Sequence, residues 1–147
     1  MKNLITALLF TINAHAVEIS FTGPCAPETI IADEVGAKYV SVGDMTVHYL
    51  TKNHIPFDGT ERGINRVFNT PIGDEALEVI SDTEMRAYGW CYFVNGVEAK
   101  VFADEYQIDS TVKKVEWIYS YSHYKNGEWL TMCSLTYLLK PKFLCGP

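Results

Sequence analysis

No glycine-rich phosphate loop, Walker motif or dinucleotide fingerprint occurs in the 147 residues, which removes nucleotide chemistry built on a backbone phosphate cradle. The HExxH motif is missing as well. His48 and His54 are six residues apart, neither three nor four, so a helix cannot bring both imidazoles to one metal. No two cysteines stand at CxxC spacing and no histidine lies at ligand spacing from one, so a structural zinc is not expected. Positive charge is scarce: 12 Lys and Arg face 18 Asp and Glu, for a net charge of -6. The two basic clusters, Lys113-Lys114 and Lys140-Pro141-Lys142, read as solvated residues guarding strand edges. Nucleic acid and anionic membrane are therefore not expected as partners, since both require clustered cations to displace counterions. Long apolar runs are also lacking. The longest, residues 4–12, is about half of the roughly 20 residues that cross a bilayer, so no membrane span is expected. Repeats, Ser/Gly linkers and low-complexity tracts are absent, which points to one compact unit.

The N-terminus does carry a leader pattern. Met1, Lys2 and Asn3 precede the apolar run, and Ala14-His15-Ala16 offers the small-x-small pattern that signal peptidase cuts after. The expectation is a cleaved signal peptide, residues 1–16, and a mature single domain, residues 17–147, of a size that buries one hydrophobic core. Cys25 follows Pro24 well past Ala16, so lipid attachment is not expected. The expected location is periplasmic or secreted. All four cysteines, Cys25, Cys91, Cys133 and Cys145, fall in the exported part, where disulfides persist. Four cysteines allow three connectivities. Pairing Cys25 with Cys133 and Cys91 with Cys145 is favoured because it ties the N-terminal segment to the last long strand.

Turn residues divide the chain into elements. Val17-Glu18-Ile19-Ser20-Phe21 alternates as a strand, and Gly23-Pro24-Cys25-Ala26-Pro27 cannot continue it. Thr29-Ile30-Ile31-Ala32 reads as a short second strand. Residues 41–53 form the one good helix candidate: Ser41 or Asp44 caps its start, and Val42, Met45, Tyr49 and Leu50 share one face. Residues 60–87 are irregular, with a short strand at Gly63-Ile64-Asn65-Arg66-Val67-Phe68 and a segment, Glu75-Ala76-Leu77-Glu78-Val79-Ile80, that fits strand or helix. Two hairpins follow. Tyr88-Gly89-Trp90-Cys91-Tyr92-Phe93-Val94 turns at Asn95-Gly96 into Val97-Glu98-Ala99, and residues 113–124 turn at Lys125-Asn126-Gly127 into Glu128-Trp129-Leu130-Thr131-Met132-Cys133. Asn-Gly tolerates the positive φ angles of a type I′ turn. The expected fold is α+β, a mostly antiparallel sheet with one packed helix.

Candidate chemistry is sparse. Cys91 with His123 as its base needs an unpaired low-pKa thiol, whereas an exported even set of cysteines reads as a disulfide framework. Ser110-Thr111-Val112-Lys113 matches Ser-x-x-Lys at a strand entry without a partner motif. Asp33-Glu34, Asp74-Glu75 and Asp104-Glu105 read as solvated turns, because adjacent strand residues point to opposite faces and cannot face each other across a cleft. His48, His54 and His123 read as helix-surface, helix-end and strand histidines. No catalytic residue is assigned, and the chain is read as no enzyme. Aromatics give the better lead. Trp90, Tyr92, Trp117, Tyr119, Tyr121, Tyr124 and Trp129 gather in the two hairpins, and at least one alternating set is core. Trp90, Tyr92, Tyr121 and Trp129 are the candidate ligand-binding residues of a partly exposed aromatic platform.

The stretch from Tyr88-Gly89-Trp90-Cys91-Tyr92-Phe93-Val94-Asn95-Gly96 through Ala103-Asp104-Glu105-Tyr106 to Val115-Glu116-Trp117-Ile118-Tyr119 resembles the transcobalamin-like C-terminal domain family, bacterial domains of unknown function. The likeness covers about residues 41–119, including Gly43-Asp44-Met45-Thr46-Val47 in the helix. It departs where the family has a Gly-Asp turn and this chain has Ser110-Thr111-Val112-Lys113-Lys114. The resemblance implies a β-grasp-like exported module, and a cobalamin-like ligand only as a hypothesis, since this chain has no helical-barrel domain to complete a corrinoid site. Two functions follow: a non-catalytic binding or adaptor domain for a small flat ligand or glycan, or a structural or inhibitory envelope protein whose edge strand docks on a protein partner.

Overall fold

The computed structural model describes residues 15–36 and 38–146. Of the expected leader, residues 1–14 lie outside the described residues, and Ala16 opens the first strand. In chain order the elements are β1 (Ala16–Thr22), β2 (Thr29–Gly36), α1 (Val42–Lys52), β3 (Phe57–Thr60), β4 (Gly63–Val67), β5 (Leu77–Ser81), β6 (Glu84–Val94), β7 (Val97–Glu98), β8 (Lys114–Lys125), β9 (Glu128–Leu135) and α2 (Lys142–Cys145). Single 3-10 turns at Gly73–Ala76 and Thr136–Leu138 lead into β5 and out of β9.

Seven strands form one sheet in the order β2-β1-β8-β6-β5, with β7 on β6 and β9 on β8. Every pairing is antiparallel except one. β1 runs parallel to β8, Glu18 opposite Lys114 through Thr22 opposite Ile118, which puts the first strand in the middle of the sheet. β6 occupies one edge of β8 along its length, and β9 continues the other edge where β1 stops. β3 and β4 make a separate two-stranded hairpin. The α+β expectation holds at this level, with two helices among the described residues rather than one.

Local chemistry accounts for the elements. Both Asn-Gly turns have positive φ at both residues, 51° and 81° at Asn95-Gly96 and 51° and 91° at Asn126-Gly127, as the type I′ geometry requires. Asn95 also closes the loop that leads into β8: its carboxamide donates to the Thr111 carbonyl and accepts from the Lys113 and Lys114 N–H groups. Ser41 caps α1 by accepting the Asp44 N–H, and the free N–H groups of Val42 and Gly43 donate to the carbonyls of Tyr106 and Ala103.

α1 buries Met45, Thr46, Tyr49 and Leu50 against the sheet. The covered sheet face holds Phe21 from β1, Trp90, Tyr92 and Val94 from β6, and Val115, Trp117 and Tyr119 from β8. The two aromatic sets therefore lie on one face, cross-paired as Trp90 with Tyr119 and Tyr92 with Trp117, and both are core. Each large ring removes about 150–250 Å² from water, worth roughly 4–6 kcal/mol, so these few residues dominate the folding energy.

Three expectations are corrected. The disulfides join Cys25 to Cys145 and Cys91 to Cys133, with Cα separations of 5.4 and 5.8 Å, not Cys25 to Cys133 and Cys91 to Cys145. The physical reason lies in the chain after β9. It runs over the sheet, with Thr136 bonded to the Tyr119 carbonyl and Phe143 edge-on to Tyr88, and so carries Cys145 to the loop beyond the end of β1. β9 loses its ladder with β8 between Thr131 and Ser134, and the displaced Cys133 meets Cys91. Asp33-Glu34 sits in strand β2 rather than in a turn, exposed on the sheet's edge. The aromatic platform does not form, because Trp90 and Tyr92 are only 8% exposed.

Candidate functional site

A break in the pairing of β6 creates the site. β5 engages residues 84–87 of β6 and β7 engages Phe93 and Val94. Among the described residues, no strand pairs with residues 88–91 on the side away from β8. Two concavities open there and share Ile64, Asn65 and Trp90. One is a notch of about 430 Å³ running past Tyr88, Gly89 and Gly73. The other is a slot of about 270 Å³ that reaches Trp90, Tyr92, Trp117 and the Cys91–Cys133 bond, with Ala99, Val101 and Phe102 opposite.

The walls are held from behind. Trp90 donates its indole N–H to the Thr70 hydroxyl at 2.9 Å, and Tyr92 donates its hydroxyl to the Val101 carbonyl at 2.7 Å, tying the loop after β7 to the slot. Burial, reinforced by Tyr106 and the carboxylates of Glu105 and Asp104, pushes the Tyr92 hydroxyl up to about 12. It is therefore a neutral donor at physiological pH, not an acid or base. The turn between β3 and β4 is clamped on both sides: the Ala103 N–H donates to the Arg62 carbonyl at 3.1 Å, and Gly43 of α1 lies so close to the Glu61 carbonyl that a Cβ would collide with it. That turn delivers Arg62, whose guanidinium carbon stands 3.6 Å from the centre of the Phe102 ring.

The residues singled out in the sequence fall in different places. Trp90 and Tyr92 line the slot. Tyr121 is half-buried 6.0 Å from Tyr88, and Trp129, 48% exposed, packs edge-on to Tyr124 in the second hairpin; neither lines the slot. Cys91 carries no thiol, because its sulfur is bonded to Cys133. His123 pairs instead with Glu84 at 2.8 Å, and Lys125 together with His123 holds the Glu84 carboxyl below its usual range. Glu78 behaves similarly: burial would raise it, but hydrogen bonds from Tyr88 and Arg86 win and lower it. Lys113 donates to the Ser110 carbonyl, so the Ser-x-x-Lys match closes a turn.

Sequence reasoning missed Arg62, Ile64, Val101 and Phe102. The Thr-Glu-Arg-Gly run at residues 60–63 is a legible turn, but nothing in it says that the turn would face the loop after β7. The chain matches no protein-family profile, no curated protein and no solved structure.

Proposed function

We propose that this chain is an exported, non-catalytic binding module that takes a small flat ligand into the slot beside residues 88–91. The observation that carries the reading is the slot itself, a cleft with three core aromatics and a disulfide as its walls at the one stretch where β6 lacks an outer neighbour. Concave, mostly apolar sites with a few placed polar groups are the usual form of small-ligand sites. The β-grasp reading draws on the strand order: an N-terminal hairpin, a helix, and a central β8 parallel to β1. The export reading is supported by the two disulfides. A slot of about 270 Å³ lies just below the usual range for drug-sized ligands, so a corrinoid would enter only by a substituent, and a smaller planar molecule is favoured. Titration with the neutral fluorophore anilinonaphthalene tests this. Saturable binding with quenching of tryptophan emission is expected, and Ala99→Trp, which fills the slot, abolishes it while the circular dichroism stays native. Binding that survives Ala99→Trp would overturn the reading.

A second reading, docking on an envelope protein through an edge strand, is favoured by β5. It lies at the end of the sheet with Val79 75% and Ile80 43% exposed, and its one charged residue, Glu78, is paired with Arg86 of β6, whereas β2 at the other end exposes Asp33 and Glu34. Val79→Lys should remove any stoichiometric complex recovered from an envelope extract and change stability by less than about 0.5 kcal/mol. A complex that persists in this variant would discard β5 as the contact.

A further inference from the structure

We infer that the ligand of the slot carries an anionic group, recognised by Arg62 at the slot's mouth; this rests on the proposed binding function and narrows it to flat aromatic anions. Three observations converge. First, the protein has three arginines, and two of them have carboxylate partners among the described residues, Arg66 with Asp58 and Arg86 with Glu78. Arg62 has none among the described residues, although the chain is acidic overall at -6. A guanidinium without an acid partner keeps its N–H fork free for a carboxylate-like group from outside.

Second, hydrogen-bond donors border the slot's mouth. A concavity of about 250 Å³ lined by Thr60, Arg62, Gly63, Asn65 and Phe102 adjoins it, and Arg62, Gly63, Asn65 and Phe102 border both. Thr60 accepts the Arg62 N–H through its hydroxyl oxygen at 3.2 Å, which leaves its own O–H to donate outward. Guanidinium, hydroxyl and carboxamide donors thus gather on one side of an apolar slot. A ring in the slot with an acidic substituent toward Arg62 satisfies both halves. Among the described residues no carboxylate pairs with the guanidinium, and Glu105, on the same loop as Phe102, accepts the Phe102 N–H.

Third, Arg62 is placed in advance of any ligand. Its backbone is pinned between α1 and the loop after β7, and its guanidinium rests on Phe102, so little side-chain freedom is lost when an anion arrives. A stacked guanidinium still presents its N–H edge to a planar anion.

The test compares anilinonaphthalene with its sulfonate, which share one aromatic skeleton and differ by the charge. The native protein should bind the sulfonate more tightly, with an advantage that shrinks as salt rises. Arg62→Gln should weaken the sulfonate roughly tenfold and leave the neutral compound within about twofold. Arg62→Lys should restore part of the loss. Arg62 is exposed, so these variants keep the fold, checked by the melting temperature. If Arg62→Gln leaves the sulfonate affinity unchanged while the neutral compound still binds, the anion inference is wrong and the slot stands. If neither compound binds the native protein, both fall together.

Discussion

Trp117→Ala is expected to lower the unfolding free energy by about 3–5 kcal/mol, a large part of the 5–15 kcal/mol that holds a typical domain together. Trp117 is 2% exposed and sits at the centre of the sheet on β8. Its ring lies 5.2 Å from Tyr92, and its indole N–H donates to the Thr46 hydroxyl at 3.0 Å. Thr46 in turn donates to the Val42 carbonyl within α1, so this one side chain couples the helix to the sheet. Alanine leaves a cavity that the rigid strands on either side cannot close, and it strands the Thr46 oxygen. Trp117→Phe separates the two contributions: it keeps most of the volume, loses the hydrogen bond, and should cost about 1–2 kcal/mol. Chemical denaturation followed by circular dichroism measures both. A loss under about 1 kcal/mol for the alanine variant would mean that α1 does not rest on this ring.

The second large effect concerns the disulfides. Cys25 and Cys145 are 120 residues apart, and Cys91 and Cys133 are 42 apart. Restricting the unfolded chain is worth about 5 kcal/mol for the longer loop and about 4 kcal/mol for the shorter one, if loop closure alone sets the stabilisation. The Cys25→Ala/Cys145→Ala double variant should therefore be the less stable of the two double variants, even though its bond anchors only the C-terminal tail. Phe143 against Tyr88 and the Thr136 bond to Tyr119 hold that tail in part, so the native contacts outlast the bond at low temperature. Peptide mapping of the non-reduced protein checks the pairing directly. Recovery of a peptide linking Cys25 to Cys133 would contradict the path of the chain after β9. The Cys91–Cys133 variant carries a separate consequence: it removes a wall of the slot and should reduce ligand affinity as well as stability.

Much of the local structure was legible in the residues. Of the two candidate caps, Ser41 rather than Asp44 caps the helix, Val42, Met45, Tyr49 and Leu50 form its buried face, and both Asn-Gly turns close hairpins. Each is a short-range effect, settled by a hydroxyl reaching the first free N–H groups, by a period of 3.6, or by two residues that tolerate positive φ. The segment after Thr60 was poorly legible for a related reason. β3, β4 and β5 are four or five residues long, and such strands are selected by what they pack against more than by their own propensities.

The sequence by itself determined that the chain makes hairpins around Asn-Gly turns, one amphipathic helix and an even set of cysteines suited to an oxidising compartment. Tertiary structure alone decided that the two aromatic sets share one buried face, that β1 enters parallel to β8, which cysteines meet, and that β6 is left open over residues 88–91 with Arg62 beside it. The physical reason is range. Alternation in a strand separates its two faces, but which face is covered depends on the burial summed over strands distant in sequence, and that sum exists only once the sheet has closed.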